Sequence, residues 1–119
     1  MTAIGPFLAG MALALLPTLA AADLRRVSTE SDFVSLVAGR TLSTLGVKLE
    51  VAPDGAISGR AWGRDVTGAW RWQGRYFCRD LTFGEKPLAP NCQMVETDGE
   101  TVLFTADEGR GDSARLRLR

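Results

Sequence analysis

The chain contains no histidine. That excludes Ser-His-Asp and Cys-His nucleophilic catalysis, imidazole ligation of a metal, and the side chain that usually titrates near neutral pH. Only two cysteines occur, Cys78 and Cys92, too few for the four Cys/His ligands of a structural zinc site. Lysine is scarce too: Lys48 and Lys86 are the only two, so the cationic side chains are almost all arginine. Lys+Arg and Asp+Glu each number 14, and this neutrality argues against nucleic acid or an anionic membrane surface as a bulk partner.

Charge is also absent from the N-terminus, where every Lys, Arg, Asp and Glu lies at or beyond Asp23. Ile4 to Leu16 is apolar or small throughout, Pro17 interrupts it, and Ala20-Ala21-Ala22 supplies an A-x-A cleavage pattern. Residues 1–22 therefore read as a secretory signal peptide, although Met1-Thr2-Ala3 lacks the usual Lys or Arg. The alternative is an uncleaved anchor, but the apolar core falls short of the roughly 20 residues a spanning helix needs. No cysteine sits near the cleavage pattern to mark a lipoprotein. The expectation is export to the periplasm or beyond, with no stable membrane insertion after cleavage. Residues 23–119 then form one small domain, for which a covalent staple would matter.

What is present begins with a polar lead-in from Asp23 to Ser28. Thr29 or Ser31 can cap a short helix whose early acids face its positive end. Phe33, Leu36 and Val37 form one apolar stripe, and Gly39 is placed to end the helix. A single stripe cannot hold such a short helix alone, so it should lie on a sheet or plug a barrel end.

The remainder reads as strands. Val47, Leu49 and Val51 alternate with Lys48 and Glu50 within Thr41 to Ala52. Asp54-Gly55 and Asp98-Gly99 are hairpin signals, and Gly63-Arg64-Asp65 and Gly74-Arg75 mark further turns. The longest irregular loop is Glu85 to Asn91, with Pro87 and Pro90. Ala114 to Arg119 closes the chain with leucines to one side and arginines to the other. About seven strands with mostly short connections predict an antiparallel meander. Interior glycines Gly59, Gly63 and Gly68 favour curling it into a small barrel or half-barrel, with a β-sandwich as the alternative.

Gly68 to Arg79 holds Trp70 and Trp72, the only tyrosine, Cys78 and three arginines. In an exported chain Cys78 and Cys92 are expected to form a structural disulfide tying off the proline-containing loop. Their wide spacing lacks the Cys-x-x-Cys geometry of a redox pair. A two-residue turn at Gly74-Arg75 sets Trp72 opposite Phe77 and Trp70 opposite Arg79 on one face. Arg79 over Trp70 would be a cation–π pair. That face is either core or the wall of a cavity. In the second case Trp62, Trp70 and Trp72 with Arg71 or Arg79 would suit an anionic or sugar-like ligand. Arg71, Gln73 and Tyr76 face the other way in this register.

Asp107, Glu108 and Asp112 cluster carboxylates in a Gly-rich loop, which could wrap a hard cation. The spacing is not that of an EF-hand, and a solvated hairpin is the preferred reading. Arg110-Gly111-Asp112 spells an integrin-type tripeptide that carries little information. Acid–base catalysis would need a carboxylate pair such as Asp80 with Glu85, or Glu96 with Glu100, and nothing sets these apart from surface acids.

The run Gly39-Arg40, Asp54-Gly55-x-Ile57-x-Gly59, Gly68-x-Trp70-x-Trp72, Cys78-Arg79, Asn91-Cys92-Gln93 and Phe104-Thr105-x-Asp107-x-Gly109-x-Gly111 resembles a group of small exported bacterial proteins of unknown function. The resemblance covers nearly all of residues 23–119. Members often carry the label dihydrodipicolinate reductase, which the residues here oppose. A nicotinamide-dependent reductase needs a strand-turn-helix unit with a G-x-G-x-x-G loop on a parallel sheet, and this chain has neither. The expectation is a disulfide-stapled β domain without a cofactor that binds a small ligand rather than catalysing a reaction. The alternative is a cell-envelope interaction protein or inhibitor acting through a strand edge or the 85–91 loop.

Overall fold

A computed structural model describes residues 23–119; the segment read as a signal peptide lies outside the described residues. The elements in order are β1 (Arg25–Val27), α1 (Glu30–Val37), β2 (Thr41–Thr44), β3 (Val47–Val51), β4 (Ala56–Ala61), β5 (Arg64–Gln73), β6 (Tyr76–Phe83), β7 (Lys86–Pro87), β8 (Asn91–Thr97), β9 (Thr101–Thr105), a single helical turn (Ala106–Gly109) and β10 (Ser113–Leu118). All pairings are antiparallel. β2 to β6 and β8 to β10 run up and down in sequence order, β10 returns to pair with β2, and β6 pairs with β8. The meander therefore closes into an eight-stranded barrel, and the sandwich alternative falls away.

Three local readings change. Thr41 to Ala52 is two strands, because Gly46 takes φ 76° and turns the chain after Thr44. Arg25–Val27, within the expected polar lead-in, pairs with β8, and Lys86–Pro87, within the expected irregular loop, pairs with β6. Both are short additions to the barrel rather than staves of it. β1 covers the half of β8 that β6 leaves unpaired: β6 takes Asn91 to Gln93 and β1 takes Val95 to Thr97.

Closing a narrow barrel demands sharp coiling, and two glycines provide it. Gly59 lies opposite Leu49 and Gly68 opposite Leu81. A β-carbon on Gly59 would collide with the Lys48 carbonyl, and one on Gly68 with the Asp80 carbonyl. Neighbouring backbones approach so closely at these corners that no side chain fits between them.

Thr29 caps α1, its Oγ1 accepting from the Asp32 amide at 3.2 Å, and Glu30 and Asp32 occupy the positive first turn. The apolar stripe then drives Phe33 and Val37 wholly out of solvent. Phe33 is ringed by Trp70, Trp72 and Phe77 at centroid distances of 5.2, 5.2 and 5.0 Å. The helix is the plug of one barrel end, here called the lower end.

Candidate binding cavity

Alternation sends one residue in two of each strand into the barrel. Inward positions near α1, including Leu42, Val51, Ile57, Trp70, Phe77, Val95 and Val102, are buried. Toward the opposite, upper end the same rows continue as Val47, Leu49, Leu81 and Phe83, which remain partly solvated. The outward rows carry Lys48, Arg60, Thr67, Arg71, Asp80, Arg115 and Arg117. Apolar inside and polar outside is the reverse of a transmembrane barrel. Among the described residues no helix is long and apolar enough to cross a membrane.

Above the plug the barrel interior holds a cavity of about 260 Å³ that runs from Leu42, Val51, Ile57 and Phe77 up to Leu49, Leu81 and Leu116, with Arg79 and Gln93 as its polar groups and Asp112 and Ser113 at its edge. Leu49 and Leu81 are shared with an adjoining apolar recess of about 340 Å³ that reaches Trp62, Phe83 and Leu88. Larger hollows exist on the surface. One of about 400 Å³ lies between β1 and α1, and a shallow basin of about 810 Å³ lies beside Leu45 and Lys48. The barrel interior is the stronger ligand site because its walls are apolar and only a few polar groups converge on it.

Arg79 is the cation of that cavity. Phe77, Arg79, Leu81 and Phe83 alternate on β6, so the strand period itself turns the guanidinium inward. Its Nη1 donates to the Ala89 carbonyl at 2.8 Å. Burial lowers its pKa and neighbouring Asp80 acts in the opposite sense. An arginine still stays protonated under such a perturbation, so the site holds a fixed, partly desolvated positive charge.

The residues marked in the sequence are separated by this geometry. Trp70 is 6% exposed and donates its indole N–H to the Ala52 carbonyl at 2.8 Å. Trp72 is half-buried and donates to the Gly74 carbonyl at 3.0 Å. Both pack against Phe33, so this part of the face is core. The ladder does pair Trp70 with Arg79 and Trp72 with Phe77 as the two-residue turn required. Arg79, however, extends toward the Ala89 loop rather than over the Trp70 ring. Arg71 faces outward, with its Nη1 3.7 Å from Asp80 Oδ2 on an exposed surface. Trp62 is 71% exposed at the upper rim. Of the marked set, Arg79 lines the cavity and Trp62 borders its mouth.

Cys78 and Cys92 face each other across β6 and β8 and are joined by a disulfide. The bridge lies at the middle of the three residue pairs that close the barrel there. In the β9–β10 turn, Asp107 and Glu108 adopt left-handed backbone conformations at φ 55° and 57°. Asp107 is held by Asn91, whose Nδ2 donates to its Oδ1 at 2.7 Å and whose Oδ1 accepts from its amide at 3.0 Å. Glu108 lies 3.8 Å from Arg110. Among the described residues no group of three or more His, Cys, Asp and Glu side chains is arranged to hold a metal ion.

Sequence reasoning missed Gln93, Leu49 and Leu81 as cavity walls. Their alternation marked an apolar face, but not which part of it would stay unfilled. Comparison with known protein families, with curated proteins and with solved structures finds no match for this chain.

Proposed function

We propose that the protein is a periplasmic or secreted binding protein that takes a small amphiphile into its barrel above the helix plug. The observation that carries this is the partly solvated inward pair Leu49 and Leu81, shared between the Arg79 cavity and the adjoining recess of Val47 and Phe83. Apolar side chains aimed inward but not covered by other side chains lower their free energy by covering an apolar guest. One fixed cation at the wall selects a guest with an anionic head, such as a carboxylate or phosphate, for which arginine supplies a fork of N–H donors. The uncharged N-terminal segment and the Cys78–Cys92 bridge support an oxidising, exported location. A nicotinamide-dependent reduction finds no support in an all-antiparallel sheet.

A titration with a fluorescent medium-chain carboxylate tests this reading. Saturable one-to-one binding is expected, with displacement by the unlabelled acid at least about tenfold better than by the alcohol of equal length. Leu81→Trp, which fills the cavity, should abolish binding while the fold is retained by circular dichroism. Absence of saturable binding, or binding undiminished in Leu81→Trp, would overturn the reading.

A further inference from the structure

The upper rim carries an asymmetry that the neutral net charge conceals. Leu45, at the tip of the β2–β3 hairpin, is 91% exposed, and Trp62, at the tip of the β4–β5 hairpin, is 71% exposed. The two tips are joined: the Trp62 amide donates to the Gly46 carbonyl at 2.8 Å, and the indole lies across Gly46. Trp62 holds φ 47° in a two-residue turn with Gly63 at φ 80°. Such turns favour Asn or Asp followed by Gly, and bulky residues rarely adopt this conformation. The indole is thus presented to solvent against both local backbone preference and the hydrophobic effect. Strain of this kind at an exposed aromatic points to function.

The outward face directly below these tips is basic. Arg117 pairs with Ser43, Ser43 with Lys48, and Lys48 with Arg60, so the three cations form a band across β10, β2, β3 and β4. Arg119 extends the band. Arg60 is paired with Asp65 at 2.6 Å, whereas Lys48, Arg117 and Arg119 have no ion-pair partner among the described residues. Glu50, on the same face of β3 two residues farther from the rim, stands level with Arg119, since Thr41 pairs with both, and the acids of the β9–β10 turn belong to the adjoining hairpin of the rim.

We propose that this corner of the rim docks on an anionic bilayer surface, with Leu45 and Trp62 entering the interface and Lys48 and Arg117 lying against the headgroups. Apolar and aromatic groups on protruding tips, backed by unpaired cations, have the chemistry of interfacial binding. A protein partner would be expected to meet a broader surface, since standard interfaces bury about 800 Å² on each side. Attachment is peripheral and reversible, because two apolar residues on a polar barrel cannot insert it. The proposal does not require an occupied cavity.

Tryptophan quenching by brominated lipids tests the docking in the full chain. Trp62 is the strongly exposed tryptophan and residues 1–22 contain none, so quenching reports the rim rather than the N-terminal segment. Quenching and a blue shift are expected with phosphatidylglycerol vesicles but not phosphatidylcholine vesicles, and high salt should reverse them. Leu45→Asp, at a fully solvated tip, and the double variant Lys48→Glu/Arg117→Glu should each weaken vesicle binding about tenfold. Their carboxylate binding in the cavity should be unchanged, which separates failure here from failure of the ligand reading. No quenching, equal quenching by neutral vesicles, or undiminished quenching in both variants would overturn the proposal. So would a stable protein complex that covers Trp62 and leaves no vesicle binding.

Discussion

Arg79 and Ala89 are joined by a 2.8 Å hydrogen bond that ties the cation of the barrel cavity to the loop leading into β8. This contact uses one N–H of the guanidinium, which has further donors to offer a guest. Arg79→Met keeps much of the apolar stem and removes the charge. It should weaken carboxylate binding by about tenfold to a hundredfold, as expected for loss of a charge-assisted hydrogen bond. Binding of the matched alcohol should be nearly unaffected. The arginine stays charged throughout, so acid should weaken binding of the carboxylate toward that of the alcohol by protonating the guest, as pH falls through its own pKa near 4–5. Calorimetric titration of the acid and alcohol across pH 4 to 8 checks both points.

Phe33 anchors α1 in the lower barrel end. It is fully buried and in ring contact with Trp70, Trp72, Phe77 and Phe104. Phe33→Ala should cost about 3–5 kcal/mol, a large share of the roughly 5–15 kcal/mol that stabilises a domain of this kind. Phe33→Leu should cost markedly less because it refills most of the volume. Denaturant unfolding followed by tryptophan emission measures both, and equal stability of Phe33→Ala and the parent would refute the plug.

The Cys78–Cys92 bridge closes a 14-residue separation at the β6–β8 seam. Its removal by a double Cys→Ser change should cost about 3 kcal/mol. Because only three residue pairs join β6 to β8, the loss should be local before it is global. Amide hydrogen exchange should rise first at residues 77–79 and 91–93. A uniform rise over all strands would argue that the bridge has no special hold on the seam.

Asp98 orders the β8–β9 hairpin by accepting from the amides of Thr101 at 2.7 Å and Glu100 at 2.9 Å. The Thr101 amide, then that of Glu100, hold its carboxyl below the ordinary value of 3.8, with Arg115 adding a minor pull. The folded state therefore favours the ionised form. Its contribution is present above the unfolded value and is lost as pH falls below it and through the folded one. Asp98→Asn should lower stability at pH 7 and flatten the decline in stability below about pH 4. Urea midpoints of parent and variant from pH 7 down to pH 3 give the comparison.

Much of the lower barrel was legible from the chain. The Phe33 stripe marked a short helix bound for a sheet face or a barrel end, Gly74-Arg75 set Trp70 against Arg79, and of the three glycines expected to curl the sheet Gly59 and Gly68 stand at corners while Gly63 lies in the β4–β5 turn. These are local signals, set by backbone freedom and side-chain period within a few residues. The separation of Trp70 and Trp72 from Trp62 was not legible. All three tryptophans lie within eleven residues of one another, yet Trp70 and Trp72 sit against the helix plug and Trp62 borders the open mouth.

By itself, the sequence determined the excluded chemistries, the alternation of strands and the pairing of the two cysteines, because these follow from residue type and near neighbours. Only the tertiary structure decided that β10 returns to β2, that α1 fills one end and that the other stays open. Closure joins residues as distant as Leu42 and Leu118. Whether an inward residue is core or cavity wall depends on how many side chains the closed barrel brings to the same depth. Arg79 became a cavity group, and Trp70 core, because the plug fills the space beside one and not the other.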